Sequence, residues 1–444
     1  MTYKWINLLP DTLDVFSHKS PHPGSKQEDV FQQSLEGNKM AMRYRVSSLS
    51  RLFFLITYFA AVTLGVHATA LAQLAAENAK LDRAHPLSRE AQEAINLQRV
   101  QTVPYWTSFY RLPNSTDLVP YSMVGRAPWG GQTTSIRTVL LPVSFVFSDT
   151  PNGTVDVSPI VDRTLDSPDF GSFQYTSSEK PTQFADAVQR AELWQFAKSN
   201  AWHTMLERPR VLPAVKIQVP TSGGLLGTEG GPPHGYVSED FMTSQIKTIL
   251  QLEPVKSDEL VIILTHNTTF CEGPIPDSCV EGGWHVAYEK GDRTDNSTLQ
   301  IQTYVVASWL DKEVSRIIAN TIHLPAYEST VDVLPLSHEI SEWMNDPFNN
   351  NHVPNWLSPN FPIPNSPLAC NYETGNFETG DAVEFLNDSW YPITMNDFTY
   401  HVQNEALLQW FISEKPSSAI DGVYSYPDTN TLTKFPEPCS PPAQ

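Results

Sequence analysis

Positive charge is scarce in this sequence. Its 444 residues include 29 Lys and Arg against 49 Asp and Glu, which gives a formal net charge of −20. No basic cluster offsets this acidity, and such a surface repels both the phosphates of nucleic acids and anionic lipid headgroups. The composition therefore excludes nucleic acid and anionic membranes as partners.

Two common catalytic signatures are absent as well. The most glycine-rich stretch, TSGGLLGTEGGPPHG at residues 221–235, contains neither the G-x-S-x-G nucleophile elbow nor the lysine of a phosphate-binding loop. We therefore expect no serine nucleophile and no nucleotide site there. The stretch is typical of a mobile surface loop.

Cysteine is rare, and the chain has only four, all after residue 270. An even number favours pairing in an oxidising compartment, and four cysteines allow three pairings. We favour a short loop closed by Cys271 with Cys279, and a second bond between Cys370 and Cys439 that ties back the C-terminus.

The first 72 residues differ in composition from the rest. Residues 1–39 show no apolar periodicity and are predicted to form a disordered leader, with Met40 and Met42 as alternative starts. Residues 40–72 combine three arginines, a fifteen-residue apolar core at 52–66 and small residues after it, which is the layout of a secretory signal peptide. The alternative is a type II membrane anchor, although this core is short for a span.

Five N-x-S/T sequons agree with a secreted, extracellular glycoprotein. They are at Asn114, Asn152, Asn267, Asn296 and Asn387.

The remaining chain alternates between strand and helix patterns. Residues 73–135 are interpreted as an N-terminal extension, and residues 136–444 as one globular domain. Apolar runs predict strands at 138–149, 214–220, 259–270 and 299–310, and amphipathic periods predict helices at 182–201 and 238–252. Residues 406–412 form a short helix or strand. This order predicts an α/β or α+β fold.

The strongest chemical signal is SHEISEWMNDP at residues 337–347, which contains the pattern H-E-x-x-E. On a helix, His338 and Glu342 lie one turn apart and point the same way, so both can bind one ion. Glu339 is displaced by about 100° around the helix and can take a proton from water beside that ion. We therefore predict a metal site with Glu339 as its catalytic base.

The carboxylate at Glu342 replaces the second histidine of the zinc motif H-E-x-x-H. It adds negative charge around the ion and should make it a weaker Lewis acid. One histidine with carboxylates suits Mn²⁺ or Fe²⁺ as well as Zn²⁺. We expect zinc, with Mn and Fe as alternatives.

Further ligands and the limits of the helix follow from nearby residues. Asp332 is predicted to cap the helix start, with Pro335 in the first turn, and Pro347 to end the helix. Asp346 lies two turns beyond His338 and is a candidate ligand. A remote ligand is also required, and the acidic turn at 378–384 offers Glu378, Asp381 and Glu384, of which we prefer the first two.

Three other histidines are candidates for the site. For His285, after the cysteine loop, a surface or structural role is favoured over that of a ligand or transition-state donor. For His203, beside Trp202, packing is favoured. His266 ends a strong strand, where site residues gather in α/β sheets.

SHEISEWMNDPF together with FETGD resembles the plant phosphate-induced/EXORDIUM-type secreted proteins, whose core carries a similar H-E-x-x-E-x-x-x-D-P segment and a later E-x-x-D. The resemblance covers roughly residues 255–385. The stretch at 167–194 is similar to secreted fungal and bacterial proteins that carry the same metallopeptidase-like segment. The resemblance implies a metallopeptidase-like core with a mixed sheet. The positions that match are His338, Glu339, Glu342, Asp346, Glu378 and Asp381.

Three functions remain open. The first is a secreted metal-dependent hydrolase acting on a peptide or cell-wall polymer. The second is a non-enzymatic extracellular or cell-wall protein that keeps the fold, with a structural metal or none. The third is a carbohydrate-active enzyme that uses paired carboxylates such as Glu339 and Asp381.

Overall fold

A mixed eight-stranded β-sheet lies at the centre of the computed structural model. The residues that the structure describes all belong to one compact unit, and they are 87–112, 115–227, 229–290, 298–322, 325–359, 375–384, 386 and 389–436. The predicted leader and signal segment, the pair Cys370 and Cys439, and the sequons at Asn114, Asn296 and Asn387 lie outside these ranges.

The strands are numbered in chain order. They are β1 (Tyr105–Arg111), β2 (Leu118–Val124), β3 (Thr133–Phe147), β4 (Gly153–Val155), β5 (His203–Leu206), β6 (Arg210–Val211), β7 (Val215–Val219), β8 (Gly224–Leu226), β9 (Gly235–Ser238), β10 (Glu259–His266), β11 (Thr268–Cys271), β12 (Cys279–Glu281), β13 (Gly283–Lys290), β14 (Gln300–Trp309), β15 (Trp390–Met395), β16 (Phe398–Gln403), β17 (Glu405–Ala406) and β18 (Ser425–Tyr426).

The helices are short and are also numbered in chain order. They are α1 (Arg89–Asn96), α2 (Val161–Leu165), α3 (Phe184–Glu192), α4 (Trp194–Ala197), α5 (Glu239–Leu252), α6 (Lys312–Thr321), α7 (Leu334–Asn345) and α8 (Leu408–Phe411), with 3-10 turns at Pro128–Gly130, Ser158–Ile160, Pro325–Ser329 and Ile420–Gly422.

The central sheet mixes parallel and antiparallel pairs. Strand β10 runs parallel to β3 on one side and to β14 on the other. Strand β13 is antiparallel to β14, and β4 is antiparallel to β3, whereas β5, β6 and β7 pair with β3 in parallel. The protein therefore combines helices with a mixed sheet, within the predicted class.

Both faces of this sheet are covered. Along β10, Leu260, Ile262 and Leu264 enter one hydrophobic core, whereas Val261 and Ile263 enter the other. Helix α7 packs into the first core and α5 into the second. Because both faces are buried, the strand is apolar at every position from Leu260 to Leu264 instead of alternating, as its sequence indicated.

Most predicted elements are confirmed with small shifts in their ends. The strands at 138–149, 214–220 and 299–310 correspond to β3, β7 and β14, and the short element at 406–412 contains helix α8. The helix at 182–201 is interrupted at Leu193 and forms α3 and α4. Helix α5 begins after Ser238, whose hydroxyl accepts a hydrogen bond from the N–H of Phe241, as predicted for an N-cap. The disulfide between Cys271 and Cys279 is also confirmed.

The apolar run at 259–270 is two strands, not one. Asn267 adopts a left-handed conformation, with φ at 44°, and separates β10 from β11, which belongs to a different sheet. The Asn267 side chain is 2 % exposed, and its amide oxygen and nitrogen both bond to Asp311. The folded protein therefore has no room for a glycan at this sequon, whereas Asn152 is exposed.

The region before residue 136 has structure of its own. Helix α1 and the hairpin of β1 and β2 lie in the same compact unit as the central sheet. Prolines interrupt the aromatic stretch that forms this hairpin, so its sequence alone does not predict strands. No helix within the described ranges is long and apolar enough to cross a membrane.

Candidate metal centre

Helix α7 carries the H-E-x-x-E pattern, and every one of its residues is buried. Leu336, Ile340, Trp343 and Met344 recur at helical spacing and pack into the core on one face of the sheet. This packing explains why a segment with two glutamates and a histidine forms a buried helix. Its polar side chains must then find partners within the protein.

The helix start differs from the prediction by one residue. Val333 occupies the N-cap position, and no side chain caps the helix. Asp332 lies just before it with φ at 42°, and its carboxylate bonds to the ring and the backbone N–H of His401 on β16. Pro335 falls in the first turn, as predicted, and Asp346 follows the last helical residue.

Three side chains from two distant segments converge beside this helix. The Nε2 atom of His338 lies 3.1 Å from Oε2 of Glu342 and 3.2 Å from Oδ1 of Asp381. All three residues are nearly or fully buried. We name His338, Glu339, Glu342 and Asp381 the His338 cluster.

A layer of hydrogen bonds holds the His338 cluster in place. Gln403 on β16 donates its Nε2–H to the carbonyl of Gly380, so its Oε1 accepts from Nδ1 of His338 at 3.0 Å. The Nε2 atom of His338 is thereby directed at the carboxylates. The backbone N–H groups of Gly380 and Asp381 donate to Oε1 of Glu342 at 3.0 and 3.3 Å, which leaves Oε2 facing the imidazole.

Gly380 lets the acidic turn lie against the imidazole ring. A β-carbon at this position would lie 2.6 Å from Nδ1 of His338 and 2.8 Å from Cγ and Cε1 of the same ring. These separations are shorter than any van der Waals contact, so a larger residue would push the turn and Asp381 away from His338.

Glu339 points toward a second histidine. Its Oε2 atom lies 3.4 Å from Nδ1 of His285, and its Oε1 atom 3.9 Å from Nε2 of His338. His285 is 1 % exposed and stands on β13, where it pairs with Val305 of β14. A surface or structural role was expected for His285, so its position beside the His338 cluster was not predicted from the sequence.

The other predicted ligands are distributed differently. Glu378 lies beside His285, with Oε2 at 4.0 Å from Nε2, and forms with His285 and Glu342 a second group whose ligand atoms converge. Glu384 converges with His338 and Asp381. Asp346 is in none of the convergent groups of the described residues, because its two oxygens accept hydrogen bonds from the N–H groups of residues 350 and 351.

The electrostatics of the cluster centre on His338. Burial alone would lower the pKa of His338, but the charges of Glu342 and Glu339 outweigh it and raise this pKa well above its usual range. Burial raises the pKa of Glu342, but His338 more than offsets this and brings it to about 2. Burial and the charge of Glu342 raise the pKa of Asp381 to about 6. The acids therefore compete for a single cation, which is a proton on His338 when no other cation is bound.

A cavity gives access to the cluster from solvent. It has a volume of about 50 Å³ and is lined by His338, Glu339, Asp381 and Gln403 among others. The cavity lies alongside the start of α7 and the end of β12. Ions and small groups can therefore reach the atoms that face one another in the cluster.

The other histidines have separate partners. His203 lies 2.7 Å from Asp186 on α3, and His266 lies 3.3 Å from Asp311. Neither takes part in the His338 cluster, and the packing role expected for His203 is accompanied by this contact.

A comparison with known proteins adds no relative: neither a family model, a curated protein nor a solved structure matches this chain.

Proposed function

We propose that this chain is a secreted, metal-dependent hydrolase with a metallopeptidase-like core. His338, Glu342 and Asp381 hold one divalent ion, and Glu339 takes the proton from the attacking water. The substrate is a peptide or another extracellular polymer. The resemblance to the EXORDIUM-type and related secreted proteins implies the metallopeptidase-like core and not the activity.

Two short contacts that share Nε2 of His338 are the observation that carries the proposal. In a tetrahedral zinc site with bonds of 2.0–2.1 Å, neighbouring ligand atoms lie about 3.3–3.4 Å apart. The contacts of His338 with Glu342 and Asp381 measure 3.1 and 3.2 Å. Each pair therefore matches the spacing of two neighbouring ligands. Because His338 converges with Glu339 and Glu342 in one group and with Asp381 and Glu384 in another, Glu342 and Asp381 must move closer together to bind one ion. An ion bound there would supply a Lewis acid and lower the pKa of water.

The surroundings of the ligands support this assignment. Metal-binding histidines usually donate their other ring N–H to an oxygen, and Gln403 provides that oxygen for His338. The backbone N–H groups at Gly380 and Asp381 orient Glu342 in the same way. Zinc is the preferred ion, and the two carboxylates also suit Mn²⁺ and Fe²⁺.

Glu339 has the position that a general base needs. It lines the cavity beside His338 and Asp381, where a substrate carbonyl and a water molecule can enter. Nδ1 of His285 lies 3.4 Å from one of its oxygens and holds the carboxylate toward the cluster. The proton that Glu339 accepts can be passed on to the leaving group from the same place.

Elemental analysis of the purified full-length chain tests the metal site. We expect about one Zn, Mn or Fe per chain in the wild type, an unchanged content in Glu339→Gln, and less than a tenth of it in Glu342→Ala. Glu192→Gln is the matched control, because it changes a buried glutamate outside the cluster. A wild type that retains none of these metals contradicts the proposal.

Hydrolysis of a peptide library tests the role of Glu339. Loss of a general base lowers rates by about 10²–10⁴-fold, so Glu339→Gln should bind metal yet lose most of its activity. If the wild type binds stoichiometric metal and releases neither peptides nor sugars, the non-enzymatic alternative with a structural metal is correct.

A further inference from the structure

The cavity beside His338 is strongly acidic. Glu281, Glu339, Asp381 and Glu384 line it, and neither lysine nor arginine is among its described lining residues. The proposed metal site employs two of these acids. Of the other two, Glu384 converges with His338 and Asp381, whereas Glu281 is in none of the convergent groups of the described residues, which leaves Glu281 for a bound substrate.

Glu281 is a buried acid whose largest charge interactions among the described residues are with other acids. It is the last residue of β12, is 5 % exposed, and pairs with Phe270 of β11. Its Oε1 atom has no hydrogen-bond partner within the described ranges. Burying an acid in this way is unfavourable unless another group compensates for it. Rigid surroundings hold it there, because the disulfide between Cys271 and Cys279 joins β11 to β12.

A second unsatisfied polar group faces the same space. Tyr327 lines the cavity and is 2 % exposed, and its hydroxyl has no hydrogen-bond partner in the described part of the chain. Burial, and next the charge of Glu281, raise the pKa of this phenol well above its usual range, so the two groups interact. Buried tyrosine hydroxyls normally have a partner.

We propose that Glu281 and Tyr327 form a recognition pocket for a cationic group of the substrate, the ammonium of lysine or the guanidinium of arginine. The carboxylate accepts hydrogen bonds from the cation and neutralises its charge, and the phenol oxygen accepts another. That this group belongs to a polymer cleaved at the His338 cluster rests on the proposed function; the binding of the cation does not.

The chemistry of the pocket favours an organic cation over other ligands. Glu281 is in none of the three groups of the described residues whose ligand atoms converge closely enough for a metal ion. Burial and the neighbouring acids Glu272 and Glu239 raise the pKa of Glu281, a shift that a bound ammonium or guanidinium group would reverse. An uncharged or acidic substrate group would leave the carboxylate uncompensated.

Calorimetric titration with a matched pair of probes tests the pocket directly. N-acetyl-lysinamide and N-acetyl-norleucinamide have side chains of similar shape, and only the first is charged. We expect the wild type to prefer the lysine probe at least about tenfold, because the charge pair is desolvated. Glu281→Gln should abolish this preference, Tyr327→Phe should reduce it, and the control Glu192→Gln should retain it.

Three results would contradict the recognition pocket. Equal affinity for the two probes, a preference that survives in Glu281→Gln, or no binding of the lysine probe at millimolar concentration overturns the pocket. Thermal unfolding of each variant shows that it is folded. Glu281→Gln should be at least as stable as the wild type, since a neutral amide of the same shape replaces a group whose charged form is disfavoured by burial.

Peptide hydrolysis separates the pocket from the proposed function. Cleavage with a higher kcat/KM for lysine or arginine peptides than for norleucine peptides, lost in Glu281→Gln, supports both. Cleavage without any preference for charge overturns the pocket and leaves the hydrolase. Charge-selective binding without cleavage overturns the hydrolase and leaves the pocket.

Discussion

Two groups of buried acids in this protein differ in the hydrogen-bond donors that surround them. Near α3, Glu179 lies 3.2 Å from Nε of Arg190 and accepts a hydrogen bond from the hydroxyl of Tyr426 at 3.0 Å. Asp186 on the same helix accepts the N–H of residue 204 at 2.6 Å and lies 2.7 Å from the ring of His203. Each of these acids has fixed donors supplied by the chain.

The acids around His338 have far fewer donors. Neither oxygen of Asp381 accepts a hydrogen bond from the described residues, and its Oδ1 atom lies against Nε2 of His338. The imidazoles of His338 and His285 thus face several carboxylates, and no lysine or arginine is among the described residues that line the adjoining cavity. The acids near α3 are therefore compensated by donors of the chain itself, whereas under the proposed function those near α7 are compensated by a cation from solution.

The largest effect is expected where a structural pair is broken. Arg190→Met leaves the carboxylate of Glu179 buried without its cation and should lower the free energy of unfolding by about 3–5 kcal/mol. Arg190 also donates to the carbonyl of Trp202, which loses its partner. Denaturant unfolding measures the loss, and the metal content per folded chain should not change. A loss of metal in this variant would remove the distinction between the two groups.

Removal of the ion should destabilise the protein to a slightly smaller extent. At a free ion concentration about 100-fold above Kd, binding stabilises the folded state by about 2.7 kcal/mol. A chelator should therefore lower the free energy of unfolding of the wild type by this amount, as measured by denaturant titration. Glu342→Ala should not respond to the chelator. An equal response in both proteins would place the ion elsewhere.

The hydrogen bond behind the metal ligand should have an intermediate effect. Gln403→Leu removes the acceptor of Nδ1 of His338 and should weaken metal affinity by about 10–100-fold. Gln409→Leu is the matched control, because Gln409 is equally buried and donates to the carbonyl of Glu192 instead. Competition with a fluorescent chelator measures both affinities. If the two variants weaken binding alike, the bond to His338 has no special role.

The smallest effect concerns a buried acid in the structural region. Burial raises the pKa of Glu192 to about 8, partly opposed by the N–H of Leu408 that donates to it. Because the folded protein keeps this proton and the unfolded chain releases it near pH 4.5, stability is greatest below that pH and falls as pH rises toward 8.

Between pH 5.5 and 6.5 the wild type should therefore lose about 1.4 kcal/mol more stability than Glu192→Gln. Denaturant unfolding at the two pH values measures this difference. Parallel pH profiles of the two proteins would show that Glu192 does not bind a proton in the fold.

Local patterns predicted the parts of the fold that local forces determine. The apolar run of β14 and the N-cap at Ser238 depend on neighbouring residues, and both are confirmed. The facing of His338 and Glu342 follows from helical spacing alone, and the structure brings Asp381 to them from the predicted acidic turn.

The features that the sequence did not predict depend on contacts between residues that are far apart in the chain. His285 approaches Glu339 because β13 pairs with β14 in a particular register, which nothing near residue 285 in the sequence indicates. Asp332 bonds to His401, 69 residues away, instead of capping the helix. The break between β10 and β11 at Asn267 depends on a hydrogen bond with the distant Asp311. The sequence of the apolar run around Asn267 therefore gives no sign of the break. Only the tertiary structure supplies these contacts.

The glycine at position 380 has a consequence for how this site can change through evolution. Since any β-carbon there would collide with the ring of His338, every single substitution should separate the acidic turn from the helix even though no ligand is altered. Two lineages that diverge in all surface loops can retain the site only if both retain this glycine. A relative that retains His338 and Glu342 but has another residue at position 380 would keep the motif and lose the arrangement of the site.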